Sequence, residues 1–335
     1  MWSVYIMASA DPFRPGFDPR WKSEEDYILG ITQDIWEHRR IDSLTGYYGP
    51  DLVVRSPASV IKGNTGIIAA TEATLAEFPD RELLGEDVIW TEVSDTAFLS
   101  SHRLICTATH TGAGMYGAPT GRRLEYRILA DCHCEGNAVT DEWLVRDQGA
   151  IVRQMGDTPE NWTRALIARE GGPEHAVRPM TPANDLPGPY QGRGNDDEWG
   201  AQLSDILTAM MQGEFSVISK RYDRACALAY SGHVSAHGWA AADRHWLGLR
   251  AAFPAARFQI DHVIGQSSAM MPPRAAVRWS LHGVHDGHGP FGAPTGADVY
   301  IMGITHAEFG PNGLRREWTL IDETAIWKQI LLAQG

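Results

Sequence analysis

Two Glu-Trp dipeptides, Glu142-Trp143 and Glu317-Trp318, are the residues of this 335-residue chain best suited to proton transfer. A carboxyl group enclosed by apolar side chains has its ionised form disfavoured, and its pKa moves toward neutrality, where it can both accept and deliver a proton. Twelve tryptophans make aromatic-lined cavities a reasonable expectation. The same carboxyls would be inert if they lay at a surface or interface, paired with Arg146 or Arg316. Two histidines, His110 and His285, form a second pair of candidates, each just ahead of a glycine-rich run. An imidazole there either orients a substrate carbonyl and assists the glutamate as base, or simply bonds the backbone of the turn.

Other constellations offer less. Both glycine-rich runs spell Gly-x-Gly-x-x-Gly, at Gly112, Gly114, Gly117 and at Gly287, Gly289, Gly292. A dinucleotide site needs a helix opening directly after that motif. Pro119 and Pro294 follow instead, with strand-like sequence beyond, so the runs are expected to be wide hairpin turns. His282, His285 and His288 invite a metal reading, but residues three apart on a strand face opposite ways and no carboxylate or thiolate completes a ligand set. In Cys132-His133-Cys134 the alternation puts both thiols on one side, as expected of core cysteines. No nucleophile elbow and no phosphate-binding loop occur. The expectation is therefore no metal and no cofactor.

What must position these residues is a repeated unit. Gly-Ala-Pro-Thr-Gly occurs at Gly117–Gly121 and again at Gly292–Gly296, a shift of 175 residues that also carries His110 onto His285, Glu142-Trp143 onto Glu317-Trp318 and Asp147 onto Asp322. Phe78-Pro79 falls on Phe253-Pro254 by the same shift. A duplicated domain is the economical reading, with copies at 20–160 and 195–332 and a linker at 161–194. Pro179, Pro182, Pro187 and Pro189 give that linker its character. In the first copy Ser23-Glu24-Glu25-Asp26 resembles a capping box, followed by Ile28, Ile31 and Ile35 at helical spacing. The second copy enters at Asn195, with Leu203, Ile206, Leu207 and Met210 on one face. A shorter helix is expected over about 65–77, then alternating strands over about 86–91, 96–109, 122–134 and 139–146. Helices first and strands after them is an α+β order: a curved antiparallel sheet wrapped over N-terminal helices, twice. Asp147 and Asp322, each ending a strand, are expected to cap a turn or bond the next strand.

A formal charge of −13 argues against an unassisted nucleic-acid or anionic-membrane surface. No apolar run is long enough to span a membrane. The apolar start, Met1–Met7, lacks a basic leader and is too short for a signal-peptide core. Met7 offers a second start. With only Cys106, Cys132, Cys134 and Cys226, a disulfide framework is not expected, and a cytoplasmic location follows as the default.

The run Thr109-His-Thr-Gly-Ala-Gly-Met-Tyr-Gly-Ala-Pro-Thr-Gly-Arg122, with Val139-Thr-Asp-Glu-Trp-Leu-Val-Arg-Asp147 after it, resembles the pattern of SnoaL-like polyketide cyclases, within the nuclear-transport-factor-2-like superfamily. Leu314–Asp322 repeats the second half of the pattern. The resemblance implies two cone-shaped domains, packed sheet to sheet as an internal pseudo-dimer and open to further homo-oligomerisation. It also implies a small-molecule substrate and cofactor-independent acid/base chemistry of the cyclase, dehydratase, isomerase or hydrolase type. The family's catalytic aspartate follows the tryptophan, where this chain has Leu144 and Thr319, so that role does not carry over. Glu142 and Glu317 stand two residues earlier on the same strand face, as replacements on the same wall. Candidate catalytic residues are thus Glu142, His110, Glu317 and His285, with Trp143, Leu144, Tyr116, Trp318, Thr319 and Phe291 expected against the substrate. The alternative is a ligand-binding protein that lost chemistry with the aspartate. The first copy is expected to be the better site, since Arg122 keeps the family's arginine after Pro-Thr-Gly where the second copy has Ala297.

Overall fold

A computed structural model describes residues 12–335; the Met1–Met7 stretch lies outside them. The Ser23 hydroxyl accepts from the Asp26 backbone N–H and opens α1 (Glu24–Trp36), which buries Tyr27, Ile28, Ile31 and Ile35 along one stripe. A single turn, α2 (Leu44–Tyr47), leads into β1 (Tyr48–Ser56) and β2 (Ser59–Lys62). Next come α3 (Asn64–Glu77), β3 (Glu82–Ser94), β4 (Ala97–Thr109), β5 (Arg123–Glu135) and β6 (Ala138–Arg146). Helices α4 (Gln148–Gln154) and α5 (Pro159–Arg169) close the first half, so the stretch read as linker opens with helix. The second half repeats the order with α6 (Glu198–Met211), α7 (Ser216–Arg221), β7 (Tyr222–Tyr230), β8 (Val234–His237) and α8 (Trp239–Ala252). It continues through β9 (Arg257–Gln266), β10 (Arg274–Val284), β11 (Asp298–Gly310), β12 (Gly313–Ile321) and α9 (Glu323–Gln334).

Each half forms one six-stranded sheet, in the order β2-β1-β6-β5-β4-β3 and β8-β7-β12-β11-β10-β9. Identical order confirms the duplication read from the constant shift. Pairing is antiparallel except where β1 runs parallel to β6, and β7 to β12. Strand β1, unanticipated from sequence, closes the cone by reaching across to the strand that carries Glu142. Asp147 and Asp322 are the N-caps of α4 and α9, accepting from Ala150 N–H and from Thr324 and Ala325 N–H respectively. The glycine-rich runs are turns against the C-terminal ends of α3 and α8. A Cβ on Gly112 would lie 1.9 Å from the Ala76 carbonyl oxygen, and one on Gly287 1.8 Å from that of Ala251. Only glycine allows the hairpin to approach that closely.

The helices cover the inner face of each sheet, and the outer faces pack on each other. Ile89, Leu99, Leu129 and Val145 meet Ile264, Met302, Ile304 and Leu320, with Met180 and Tyr190 of the connecting segment inserted alongside. The contact is pseudo-symmetric. Arg278 lies 4.0 Å from the Trp143 ring, and its counterpart Arg103 lies 3.5 Å from the ring of Trp318, the counterpart of Trp143. Residue i touching j while j's copy touches i's copy is the signature of an isologous, two-fold contact. No helix among the described residues is long and apolar enough to cross a membrane.

Candidate active site

The first cone encloses a cavity of about 400 Å³ between α1, α3 and the inner face of the sheet. That is within the usual range for a small-molecule site. The apolar lining comes from Ile28, Ile31 and Ile35 on α1, with Ile67 on α3 opposite. Alternation along β6 turns Glu142, Leu144 and Arg146 inward together. Cross-strand register then sets the wall: Glu142 is opposite Cys132, and Leu144 is opposite Ala130, which is opposite His102.

Glu142 is 7% exposed, and among the described residues its carboxyl has no hydrogen-bond partner. Burial pushes it up to about 7, with Arg146, four residues along the strand, pulling weakly the other way. A carboxyl in that state can gain or lose a proton near neutral pH. His102, also on the wall, is held neutral, because burial lowers its imidazole to about 4.

The second cone has the same frame, but among the described residues its interior is packed with buried side chains. Glu317 sits where Glu142 does, but its carboxylate accepts from Tyr222 OH (2.8 Å), Tyr230 OH (3.2 Å), Trp246 Nε1–H (3.1 Å) and Thr319 OH (2.7 Å). Burial raises its pKa while these four hydrogen bonds oppose the rise. Thr319 in turn meets Thr305, which accepts from Trp279 Nε1–H. The interior is filled by Trp246, Trp279 and Tyr230, all buried. Their counterparts in the first cone are Thr71, Leu104 and Ser56, and all three line the cavity. One empty and one filled cone thus follow from three large-for-small exchanges on a shared backbone.

A second-half residue reaches the first-half cavity. Asp147 grips the β7–β8 turn of the other cone, accepting from Gly232 N–H at 2.8 Å and His233 N–H at 3.0 Å. The equivalent β1–β2 turn is one residue shorter and begins with Pro57, which has no N–H to donate. Among the described residues Asp322 makes no matching grip, and it lines the cavity together with Pro57 and Ala58. Burial raises Asp322 to about 6 and Asp147 to about 7, opposed in both by bonds from backbone N–H groups.

Of the residues expected from sequence, Glu142 and Leu144 line the cavity; the others lie elsewhere. His110 is buried in the hairpin, its Nε2 3.2 Å from Glu77 Oε1 and its Nδ1 3.1 Å from Thr120 Oγ1. The same Glu77 accepts from the N–H groups of Met115 and Tyr116, so His110 belongs to a turn-holding cluster. His285 repeats the contact, to Thr295, but Ala252 replaces Glu77 and its Nε2 has no partner among the described residues. Trp143 and Trp318, expected against the substrate, lie between the two sheets instead. Adjacent strand residues face opposite sides, so a tryptophan next to an inward glutamate must point outward. Tyr116 stacks on Trp162 and donates to Gln148 Oε1, while Phe291 and Thr319 are closed into the second core. His282 bonds the exposed Asp298 at 3.1 Å, away from His285. Sequence reasoning missed His102 and Arg81; the signal was available in the shift of 175, which sets these polar residues against Val277 and Ala256.

The fold and the site define a duplicated α+β cone with a cavity in its first copy. The sequence model of the SnoaL-like polyketide cyclase family matches residues 27–155 and again 203–330, and the chain belongs to that family, in tandem. None of the curated proteins matches the chain. Among solved structures, IdmH from Streptomyces antibioticus is 21% identical with a TM-score of 0.35, and the match covers 40% of this chain and 99% of that one. A SnoaL-like polyketide cyclase from Agrobacterium tumefaciens is 21% identical with a TM-score of 0.32, over the same shares of the two chains. AclR from Streptomyces galilaeus is 17% identical with a TM-score of 0.35, covering 41% of this chain and 82% of that one.

Proposed function

We propose that the first cone is the active site of a cofactor-independent enzyme that acts by proton transfer on a small, largely apolar carbonyl or hydroxy compound, with Glu142 as the acid/base. One observation carries the reading. Among the described residues Glu142 is a buried carboxyl with no partner on the wall of a cavity, whereas its copy Glu317 is saturated by four donors in a filled core. Buried polar groups are ordinarily hydrogen-bonded, and exceptions point to a missing partner or a reaction. The second cone serves as the rigid support against which the first is built.

A substrate-independent test is the ring opening of 5-nitrobenzisoxazole, which requires only a base in an apolar cavity. Glu142→Gln should cut this rate by ~10²–10⁴-fold, the range for loss of a general base, and Glu317→Gln should leave it nearly unchanged. The alternative is a ligand-binding protein without chemistry, favoured by Leu144 in the place of the family's catalytic aspartate. Equal rates for wild type and both variants would support that alternative.

A further inference from the structure

We infer that the cavity of the first cone holds a carboxylate of its ligand between Arg81 and Arg146, so that the molecule it accepts is an apolar acid. The inference shares its location with the proposed active site but rests on different atoms. Arg81 is fully buried, and neither of its terminal nitrogens has a hydrogen-bond partner among the described residues. Its Cζ lies 4.0 Å from the centroid of the Trp36 ring, and its Nε–H donates to Cys106 Sγ, at 3.2 Å. Arg146 is half-buried, and its buried Nε has no partner among the described residues. Both side chains line the cavity, as does Gln148, and the register sets them by Tyr126 and Ile128 of β5, whereas Glu142 is opposite Cys132 further along that strand. Among the described residues, the carboxylates of the cavity wall, Glu142 and Asp322, form no ion pair with either guanidinium.

A guanidinium remains charged in any protein interior, and burying one unpaired costs several kcal/mol after relaxation. The buried Arg81, with Arg146 on the same cavity wall, needs a counter-charge, and a planar carboxylate matches the donor fork of each. The duplication supplies an internal control. In the filled cone, Arg81 is replaced by Ala256 and Arg146 by Ile321. Where the cavity is lost, the unpaired arginines are lost with it, so they belong to the ligand and not to the fold.

Isothermal titration with 2-naphthoate and its neutral isostere 2-naphthamide tests this. The wild-type protein should bind the acid at least about tenfold more tightly than the amide, as expected for hydrogen bonds to a charged group. Arg146→Met and Arg81→Met should each remove about tenfold or more from naphthoate binding and change naphthamide binding less than about threefold. Arg81→Met should also leave the melting temperature unchanged or raised, because it removes an unpaired buried charge. If that variant does not fold or melts markedly lower, Arg81 serves the fold and the pair fails. Equal affinity for acid and amide, no binding of either, or naphthoate binding indifferent to Arg146→Met would each overturn the inference. Glu142→Gln separates the two readings. It should abolish proton transfer and retain naphthoate binding, so either result can fail without the other.

Discussion

At the scale of single residues, the contrast between Glu142 and Glu317 shows how surroundings decide what one side chain does at one place in one fold. Nothing about the glutamates differs; the neighbours do. Replacing Tyr230 and Trp246 by Ser56 and Thr71 removes two of the four donors and opens space where they stood. The stability of the protein should carry the signature of Glu142. Its folded-state pKa, about 7, lies above its ordinary value of 4.5, so the folded protein holds a proton that the unfolded chain releases. The stabilisation is complete below pH 4.5 and is lost as the pH rises toward 7, an effect of roughly 3 kcal/mol at most. The groups packed around it, Tyr48, Cys132 and Cys134, are themselves raised by burial and stay neutral, so only Arg146 works against this. Asp147 and Asp322 add to the loss with the same sign. The fall in melting temperature between pH 5 and pH 8 should therefore be smaller in Glu142→Gln than in the wild type. An unchanged fall would mean that the carboxyl is already ionised at pH 5.

At the scale of elements, the cones are hairpins and helices locked by a few buried polar atoms. Glu77, at the end of α3, holds two backbone N–H groups and His110, and so fixes the glycine-rich turn against the helix. Glu77→Ala should cost about 2–4 kcal/mol in urea unfolding, since it orphans several donors at once. Much of this was legible in the sequence, because spacing in α1 and alternation in β4 to β6 are properties of the chain itself. The β1 strand was not, since Gly49-Pro50 at its start reads as a turn and its parallel partner is some ninety residues away. The cavity was not legible either, because which tryptophan fills a core is decided by packing between α8 and β10. Yet Trp246 and Trp279 aligned with Thr71 and Leu104 in the sequence, a volume difference that only the fold turned into a cavity. Thr71→Trp should copy the filled cone into the empty one and abolish ligand binding while the protein still folds. Retention of naphthoate binding by that variant would mean that the cavity lies elsewhere.

At the scale of the whole molecule, the two halves hold each other by a sheet-to-sheet contact with buried charge in it. Arg278 donates to Asp131 at 2.9 Å and lies over Trp143, while Arg103 lies over Trp318 near His306, whose Nε2 is 2.8 Å from Ser101 Oγ. The shift of 175 places Asp131 on His306, so the two sites related by pseudo-symmetry have diverged. One is an ion pair; the other holds an imidazole that burial and Arg103 keep neutral, well below its usual range. Divergence of this kind is open to a fused pair and closed to a true homodimer, where both sites would carry the same residue. Because the ion pair is buried, breaking it should cost more than forming it gained. Arg278→Met alone should leave Asp131 buried without its cation and destabilise the protein by about 3–5 kcal/mol. Adding Asp131→Leu should recover most of that loss, since an apolar pair replaces the ionic one without a stranded charge. Urea unfolding of the wild type, the single and the double variant measures all three on one scale. If the double variant were no more stable than the single, the ion pair would be contributing net stability that apolar contact between the sheets cannot replace.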